Sequence, residues 1–226
     1  MSLAGFKQSQ IMRRRAGEAM STSTGVTNSK SFFDAVKARR SIYAISKEAT
    51  ISDEKIVELV EEAVLHTPSS FNSQSARVVV LFGEQHDKLW NIALEALRKI
   101  VAADQFASTE QRISSFKNGY ATVLFFEDQN VIDGLVEQFP TYAQNFPIWS
   151  HHSSGMHQLV VWTALESEGF GASLQHYNPL IDDEVRATWS LPDSWKLIAQ
   201  MPFGKPTAAP GEKSFNPIEE RLKVFK

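Results

Sequence analysis

Apolar residues recur along this chain with two periods, and each period predicts an element. Ile56, Leu59, Val60, Ala63 and Val64 fall at i, i+3, i+4, i+7 and i+8, one continuous helical face. Ser52 stands before that face as an N-cap, Asp53 and Glu54 fill the first turn, and Pro68 stops the helix. Leu89, Ile92, Ala93, Ala96, Leu97, Ile100 and Val101 make Glu84 to Lys117 mostly helical. Between Trp149 and Gly169 a long helix is apolar nearly all round, with Leu159, Val160, Val161, Trp162 and Leu165. Such a helix belongs at a core or a subunit interface. Gly169 and Gly171 end it. Phe32 to Arg40, Val131 to Gln138 and Ile181 to Ser190 read as short helices.

Near-continuous apolar runs mark the strands. Val78 to Phe82 reads as a central strand covered on both faces and closed by Gly83; Thr122 to Phe126 is a second buried strand. Lys196 to Phe203 is a third, and Leu174 to Tyr177 reads as a short strand leading to Pro179. The Pro140 to Pro147 region is irregular. Residues 204 to 217 hold three prolines and two glycines and form an extended arm, followed by an apolar patch at Leu222 to Phe225. No internal repeat or interdomain linker interrupts the pattern, so residues 30–226 form one α+β domain.

Composition narrows the chemistry. The 226 residues are 42% hydrophobic and 22% charged, as expected of a globular protein with a core. A net charge of -3 provides no global field for nucleic acid, and no apolar run is long enough to span a bilayer. The chain has no cysteine. Thiol nucleophiles, disulfides and cysteine-ligated metal sites are therefore excluded, and any redox chemistry must come from a bound cofactor. The same absence fits a reducing compartment, the cytoplasm. Residues 1–29 read as a flexible, Ser- and Thr-rich extension with Arg13-Arg14-Arg15 and a lone acid, Glu18. A mitochondrial presequence has a similar composition, but no apolar face accompanies these arginines. Met20 offers an alternative start.

Two short motifs flank the helix that opens at Ser52. Arg39-Arg40-Ser41 combines two guanidiniums and a hydroxyl, donors suited to a phosphate ester. Pro68-Ser69-Ser70-Phe71-Asn72-Ser73-Gln74 is a polar loop entering a β-type run. Helix-end charge and turn chemistry account for the composition of both motifs. They do not account for the order of the loop or its position before a strand. Together the two motifs suggest a protein that holds a phosphorylated organic cofactor.

With these motifs the sequence resembles the FMN-dependent nitroreductase family. Arg-Arg-Ser-Ile-Tyr, the stretch Gly119 to Asp128 and the ending Pro217-Ile218-Glu219-Glu220-Arg221 are similar to its compact subgroup, which includes the fungal fatty-acid-repression-mutant type and bacterial relatives. The resemblance covers residues 32 to 226. It implies a three-layer α/β/α sandwich around a mainly antiparallel sheet, built as an intertwined homodimer whose C-terminal arm, about 204–226, adds a strand to the partner's sheet. It also implies a flavin site. Arg39 and Ser41 would contact the FMN phosphate, and Arg40 would lie along the ribityl chain. Ser69, Ser70, Asn72 and Gln74 would approach from the partner subunit. Leu174, Gln175 and His176 would set the N5 edge, and Lys213 in the arm would add a charge at the phosphate.

The sequence departs from the family pattern in three places. Tyr43 stands where many members carry a cation near flavin N1, and Lys117 is the candidate to replace that charge. Phe215 replaces a second basic residue of the arm, and Ser75-Ala76-Arg77 replaces the aromatic continuation of the loop.

The activity so implied is transfer of hydride or electrons from NADH or NADPH through the flavin to nitroaromatic, quinone or similar flat acceptors. The flavin carries the chemistry and no side chain is a catalytic nucleophile. A rival expectation is a weakly active or non-enzymatic flavin-binding regulator, which Tyr43 and Phe215 favour. A metal hydrolase built on His151, His152 and His157 is disfavoured, because His residues at i and i+5 do not share a helix face and no carboxylate stands at ligand spacing. No metal, nucleic-acid or membrane partner is expected.

Overall fold

The computed structural model describes residues 30–226; the expected extension over 1–29, with its arginines and Met20, lies outside the described residues. In chain order the elements are α1 (Phe32–Ala38), β1 (Ile45–Ser46), α2 (Asp53–His66), β2 (Ala76–Phe82), α3 (Gly83–Arg98), α4 (Phe106–Lys117), β3 (Ala121–Asp128), α5 (Gln129–Gln138), α6 (Phe146–Ser167), β4 (Gly171–Ala172), α7 (Asp182–Trp189), β5 (Trp195–Pro206) and α8 (Ile218–Arg221). Every named strand pair is antiparallel, in the order β1-β5-β3-β2, with β4 also paired to β5.

Side-chain alternation on β3 creates three layers. Ala121, Val123 and Phe125 point to one face, where they meet Ile56, Val60 and Ala63 of α2 and Val161, Trp162 and Leu165 of α6. Leu124 and Phe126 point to the other, against Leu89, Trp90 and Ala93 of α3, Ile113 and Phe116 of α4, and Val185 of α7. On β5, Ala199, Met201 and Phe203 join the first core whereas Leu197 joins the second. The register explains the switch: Phe125 pairs with Ala199 but Phe126 with Leu197, so Ile198 is bulged out and the alternation changes phase. Gly204 marks the other end of β5, where a Cβ would overlap the Ser46 carbonyl oxygen and stand 3.0 Å from the Tyr120 nitrogen, both backbone.

Helix signals held where the physics was local. The Ser52 hydroxyl accepts the Lys55 N–H at 3.4 Å, and α2 closes at Thr67, just before Pro68. Gly169 takes φ +86 after α6, the left-handed conformation that glycine adopts without strain.

Four expectations need correction. The Val78–Phe82 run is not a central strand: β2 lies at the end of the strand order and is mostly half-buried, whereas β3 is buried throughout. Glu84 to Lys117 is two helices joined by a turn over 99–105. Helix α6 starts at Phe146, with Pro147 tolerated in its first turn because that amide needs no intrahelical partner. Leu174 to Tyr177 is not a strand, since only Gln175 bridges to Gln200. No described helix is long and apolar enough to cross a membrane.

Candidate functional site

The first motif caps α1. Ser31 opens that helix by accepting the Asp34 N–H, and the Arg39 N–H closes it on the Ala35 carbonyl at 2.9 Å. The Arg39 guanidinium then sits over the Trp162 ring of α6, its Cζ 4.3 Å from the ring centroid. Its Nε is buried and has no hydrogen-bond partner, and among the described residues no carboxylate pairs with it. Burial, and then the neighbouring Arg40, lower its pKa, but a guanidinium stays charged. An unneutralised cation with an orphaned donor calls for an anion. The residues present therefore fit a phosphate-bearing ligand.

Backbone pairing delivers the rest of the motif to the sheet. Ser41 forms a parallel bridge with Ala172 of β4, and the Ile42 N–H donates to the Ala172 carbonyl at 2.9 Å. This approach requires Gly171, where a Cβ would lie 2.8 Å from Ile42 Cγ2. The bridge sets Arg39–Ser41 beside the segment that runs from β4 to Leu174, Gln175 and His176. Gln175 exchanges both main-chain hydrogen bonds with Gln200, at 2.7 and 2.9 Å, so its amide is committed. In an antiparallel bridge the flanking amides, here those of Leu174 and His176, point the other way. Leu174 also packs on the core, and the His176 side chain is exposed.

Arg40 Nη2 donates to the Gly211 carbonyl at 2.6 Å, fastening the arm against the first motif. Lys213 follows two residues later, its ammonium 5.1 Å over the Phe215 ring. The arm beyond Pro206 is almost wholly exposed, including Phe215, Leu222, Val224 and Phe225.

Tyr43 is exposed and lines a cavity of about 390 Å³ with Ser108, Gln111, Arg112, Ser115 and Phe116. Phe116 is the floor, with ring centroids 6.5 Å from Tyr43 and 6.4 Å from Tyr177, the residue after His176. Lys117 is not on that wall. Its ammonium donates to Asn91 Oδ1 of α3 at 2.8 Å, and its carbonyl is bound by buried His86. Arg112 is the cation that faces the cavity. Sequence reasoning passed over it because, on the polar face of α4, it reads as an ordinary solvated residue.

The second motif forms a short 3-10 turn over Ser70–Asn72. Phe71, Asn72 and Gln74 all have positive φ, at 57, 51 and 50°. Ser69 holds the turn: its carbonyl accepts the Asn72 N–H and its hydroxyl accepts the Gln74 N–H, both at 3.0 Å. Ser69, Asn72 and Gln74 line a cavity of about 180 Å³ with Thr67, Arg77 and His157. His157 is buried with Nδ1 on the Ser153 carbonyl at 2.9 Å, whereas His151 and His152 are exposed. Arg39, Ser41 and Leu174 are absent from that wall. Within one chain, then, the first motif, Tyr43 and the 174–176 segment are brought together, and the second motif lines a cavity to which they do not contribute.

Comparison with known proteins follows the same lines. The nitroreductase family sequence model matches residues 36–205. Hbn1 of Saccharomyces cerevisiae is 36% identical over 198 residues, 86% of this chain and 96% of that protein. Among solved structures, the nitroreductase CinD of Lactococcus lactis in complex with chloramphenicol superposes with a TM-score of 0.80 at 44% identity, covering 87% of this chain and 100% of that one. It is also known in complex with 4-nitrophenol. A nitroreductase from Exiguobacterium sibiricum in complex with FMN shares the fold, with a TM-score of 0.66 at 18% identity, over 87% of this chain and 98% of that one.

Proposed function

The chain belongs to the nitroreductase family, of the type found in fungi, and from that premise we propose an FMN-dependent oxidoreductase that uses NADH or NADPH to reduce nitroaromatic, quinone or similar flat acceptors. Family membership supports oxidoreductase activity. The FMN complex of one structural neighbour and the aromatic ligands of CinD support the finer reading. The observation that carries it is Arg39, a half-buried, unneutralised guanidinium with a buried, orphaned Nε at the start of the candidate phosphate cradle.

When bound, the flavin would supply the redox chemistry, accepting reducing equivalents from the nicotinamide and passing them to the acceptor. The residues of this chain hold and tune it. Arg39 and Ser41 anchor the phosphate, with Lys213 brought close by the Arg40–Gly211 contact, and Arg40 borders the ribityl chain. The amides of Leu174 and His176, rather than that of Gln175, are the donors for the N5 edge. Tyr43 and Arg112 border the pyrimidine end, where negative charge collects on reduction and a cation stabilises it. Arg112 takes the role first expected of Lys117, which Asn91 holds elsewhere. Ser69, Ser70, Asn72 and Gln74 close the site from a second copy. The outward face of α6 supports such a homodimer, since Ile148, Met156, Leu159 and Val160 are all exposed in the single chain.

The visible spectrum of purified protein and the flavin released on denaturation test the cofactor. Arg39→Ala should lower FMN affinity at least about tenfold, the cost of losing a charged hydrogen bond to phosphate. Undiminished occupancy in that variant would remove Arg39 from the site. A flavin-binding regulator is the second reading, favoured by Tyr43 where the family carries a cation. NADH oxidation with 4-nitrophenol or a quinone at the rate of free FMN would select it.

A further inference from the structure

Three of the four non-glycine residues with positive φ among the described residues lie in the second motif, at Phe71, Asn72 and Gln74. Such backbone persists only where its surroundings over-determine it. Two anchors do so here. At its base, Arg77 reaches back from β2, with Nη1 donating to the Gln74 carbonyl at 2.8 Å and Nη2 to Asp128 Oδ2 at 2.9 Å. At its tip, the Phe71 ring sits among Phe139, Tyr142, Phe146 and Trp149, with centroids 5.1 to 6.2 Å away. The anchors are connected. Asp128 Oδ1 also accepts the Asn130 N–H and so caps α5, and α5 ends where Phe139 and Tyr142 begin. The path from loop to Arg77, Asp128, α5, Phe139 and Phe71 returns to the loop.

We propose that Arg77 is a positioning residue that, through Asp128, locks the 69–74 loop and the 139–146 segment into one unit that moves or holds still together. Its bearing on cofactor binding rests on the function proposed above; the locking itself does not. The guanidinium fork is what the role needs, because one planar group bonds a backbone carbonyl and a carboxylate at once. A lysine offers a point charge to Asp128 but no second fixed donor for Gln74.

The test is hydrogen exchange, resolved by peptide, on full-length protein carrying Arg77→Met or Arg77→Lys. Arg77→Met should speed exchange at Asn72, Ser73 and Gln74, and across 139–146, by about tenfold or more, the worth of a lost charged hydrogen bond. Exchange in β3 and β5 should stay unchanged. Arg77→Lys should leave the loop fast, whereas a role limited to pairing Asp128 predicts full rescue. Faster exchange spread evenly over the sheet, or confined to the loop with 139–146 unaffected, overturns the proposal. FMN binding is a separate arm. Arg77→Met should weaken it, and combining that change with Asp128→Asn should weaken it little further, since both act through one ion pair; fully additive losses overturn the functional half. Wild-type protein that takes up no FMN sinks the assigned function and leaves the exchange result to judge the lock.

Discussion

Glu127 gives the sharpest quantitative test of the fold. It lies on β3 opposite Ala76 and Lys196, with its side chain in the interior at 1% exposure. Ser75 Oγ donates to its Oε2 at 2.5 Å, and its Oε1 is buried without a partner. Burial pushes its pKa up from the ordinary 4.5 to about 7; the Ser75 hydrogen bond and Arg77 pull it down, and the adjacent Asp128 pushes it further up. The folded state therefore keeps a proton that the unfolded chain gives up. Between about pH 4.5 and 7 the native state binds more protons, so stability falls as pH rises through that window and is level on either side. The full fall is about 3 kcal/mol, at about 1.4 kcal/mol for each pH unit between the two values. Glu127→Gln keeps the acceptor for Ser75 and cannot ionise. In urea denaturation at pH 5, 6, 7 and 8, with flavin content matched, the variant should be about as stable as wild type at pH 5 and more stable by up to about 3 kcal/mol at pH 8. Other titrating groups are common to both proteins and cancel in the difference. An offset that stays constant from pH 5 to 8 would show that Glu127 is not held protonated, and the account of this interior would be wrong.

Two further outcomes follow from the other face and from the cavity at Tyr43. Thr122 is fully buried, with its hydroxyl 2.8 Å from His86 Nδ1 and 3.0 Å from the Trp90 indole N–H that donates to it. Thr122→Val keeps the shape and strands both partners, so urea unfolding should register a loss of about 2–4 kcal/mol, and a loss below about 1 kcal/mol would refute the network. At Tyr43, Arg112→Ala should lower the flavin midpoint potential while Lys117→Ala leaves it unchanged. One unit charge in a water-like dielectric is worth about 1 kcal/mol, on the order of 20 mV for a two-electron couple. The reverse ranking would restore Lys117 to the role.

Local signals in the sequence were reliable where one element's own chemistry decided the outcome. The Ser52 cap, the Pro68 stop, the Ile56, Val60 and Ala63 face of α2 (though Val64 is exposed) and the exit of α6 at Gly169 are of this kind. The errors came where a neighbour decided. Val78 to Phe82 is apolar because α2 covers one face and α3 the other, and nothing in such a run tells whether the strand's hydrogen-bonding edge is also paired. Residues 99–105 break a helix without a proline or glycine, so periodicity runs straight through them. The bulge at Ile198 changes which face Leu197 serves, and only the register with β3 reveals it. Motif order singled out Arg39, Ser41 and the 69–74 loop as candidates, and backbone pairing brings the first two beside the 172–176 segment. Motif order could not show which cation shares a wall with Tyr43, because Lys117 and Arg112 lie five residues apart on one helix and face different neighbours.

Helix α6 carries a contact from each of the two motifs. Arg39 stacks on Trp162, and the 69–74 loop lies against His157. Five residues of helix place those contacts about 140° apart around the axis, at opposite margins of the buried face. Under the function proposed above, a two-fold arrangement would bring the loop of one copy to the first motif of the other. Complementation separates the cases. Arg39→Ala and Asn72→Ala chains, each defective as a homodimer, are co-expressed with different tags. If each site takes its motif from one chain and its loop from the other, the mixed dimer has one doubly damaged site and one intact site. With random pairing, about a quarter of all sites then recover full FMN affinity. If each site is built within one chain, every site carries one lesion and none recovers. Mixed dimers isolated through both tags that bind no more FMN than their parents would show that the first motif and the loop of each site come from one chain, and would overturn the shared-site reading of Ser69, Ser70, Asn72 and Gln74.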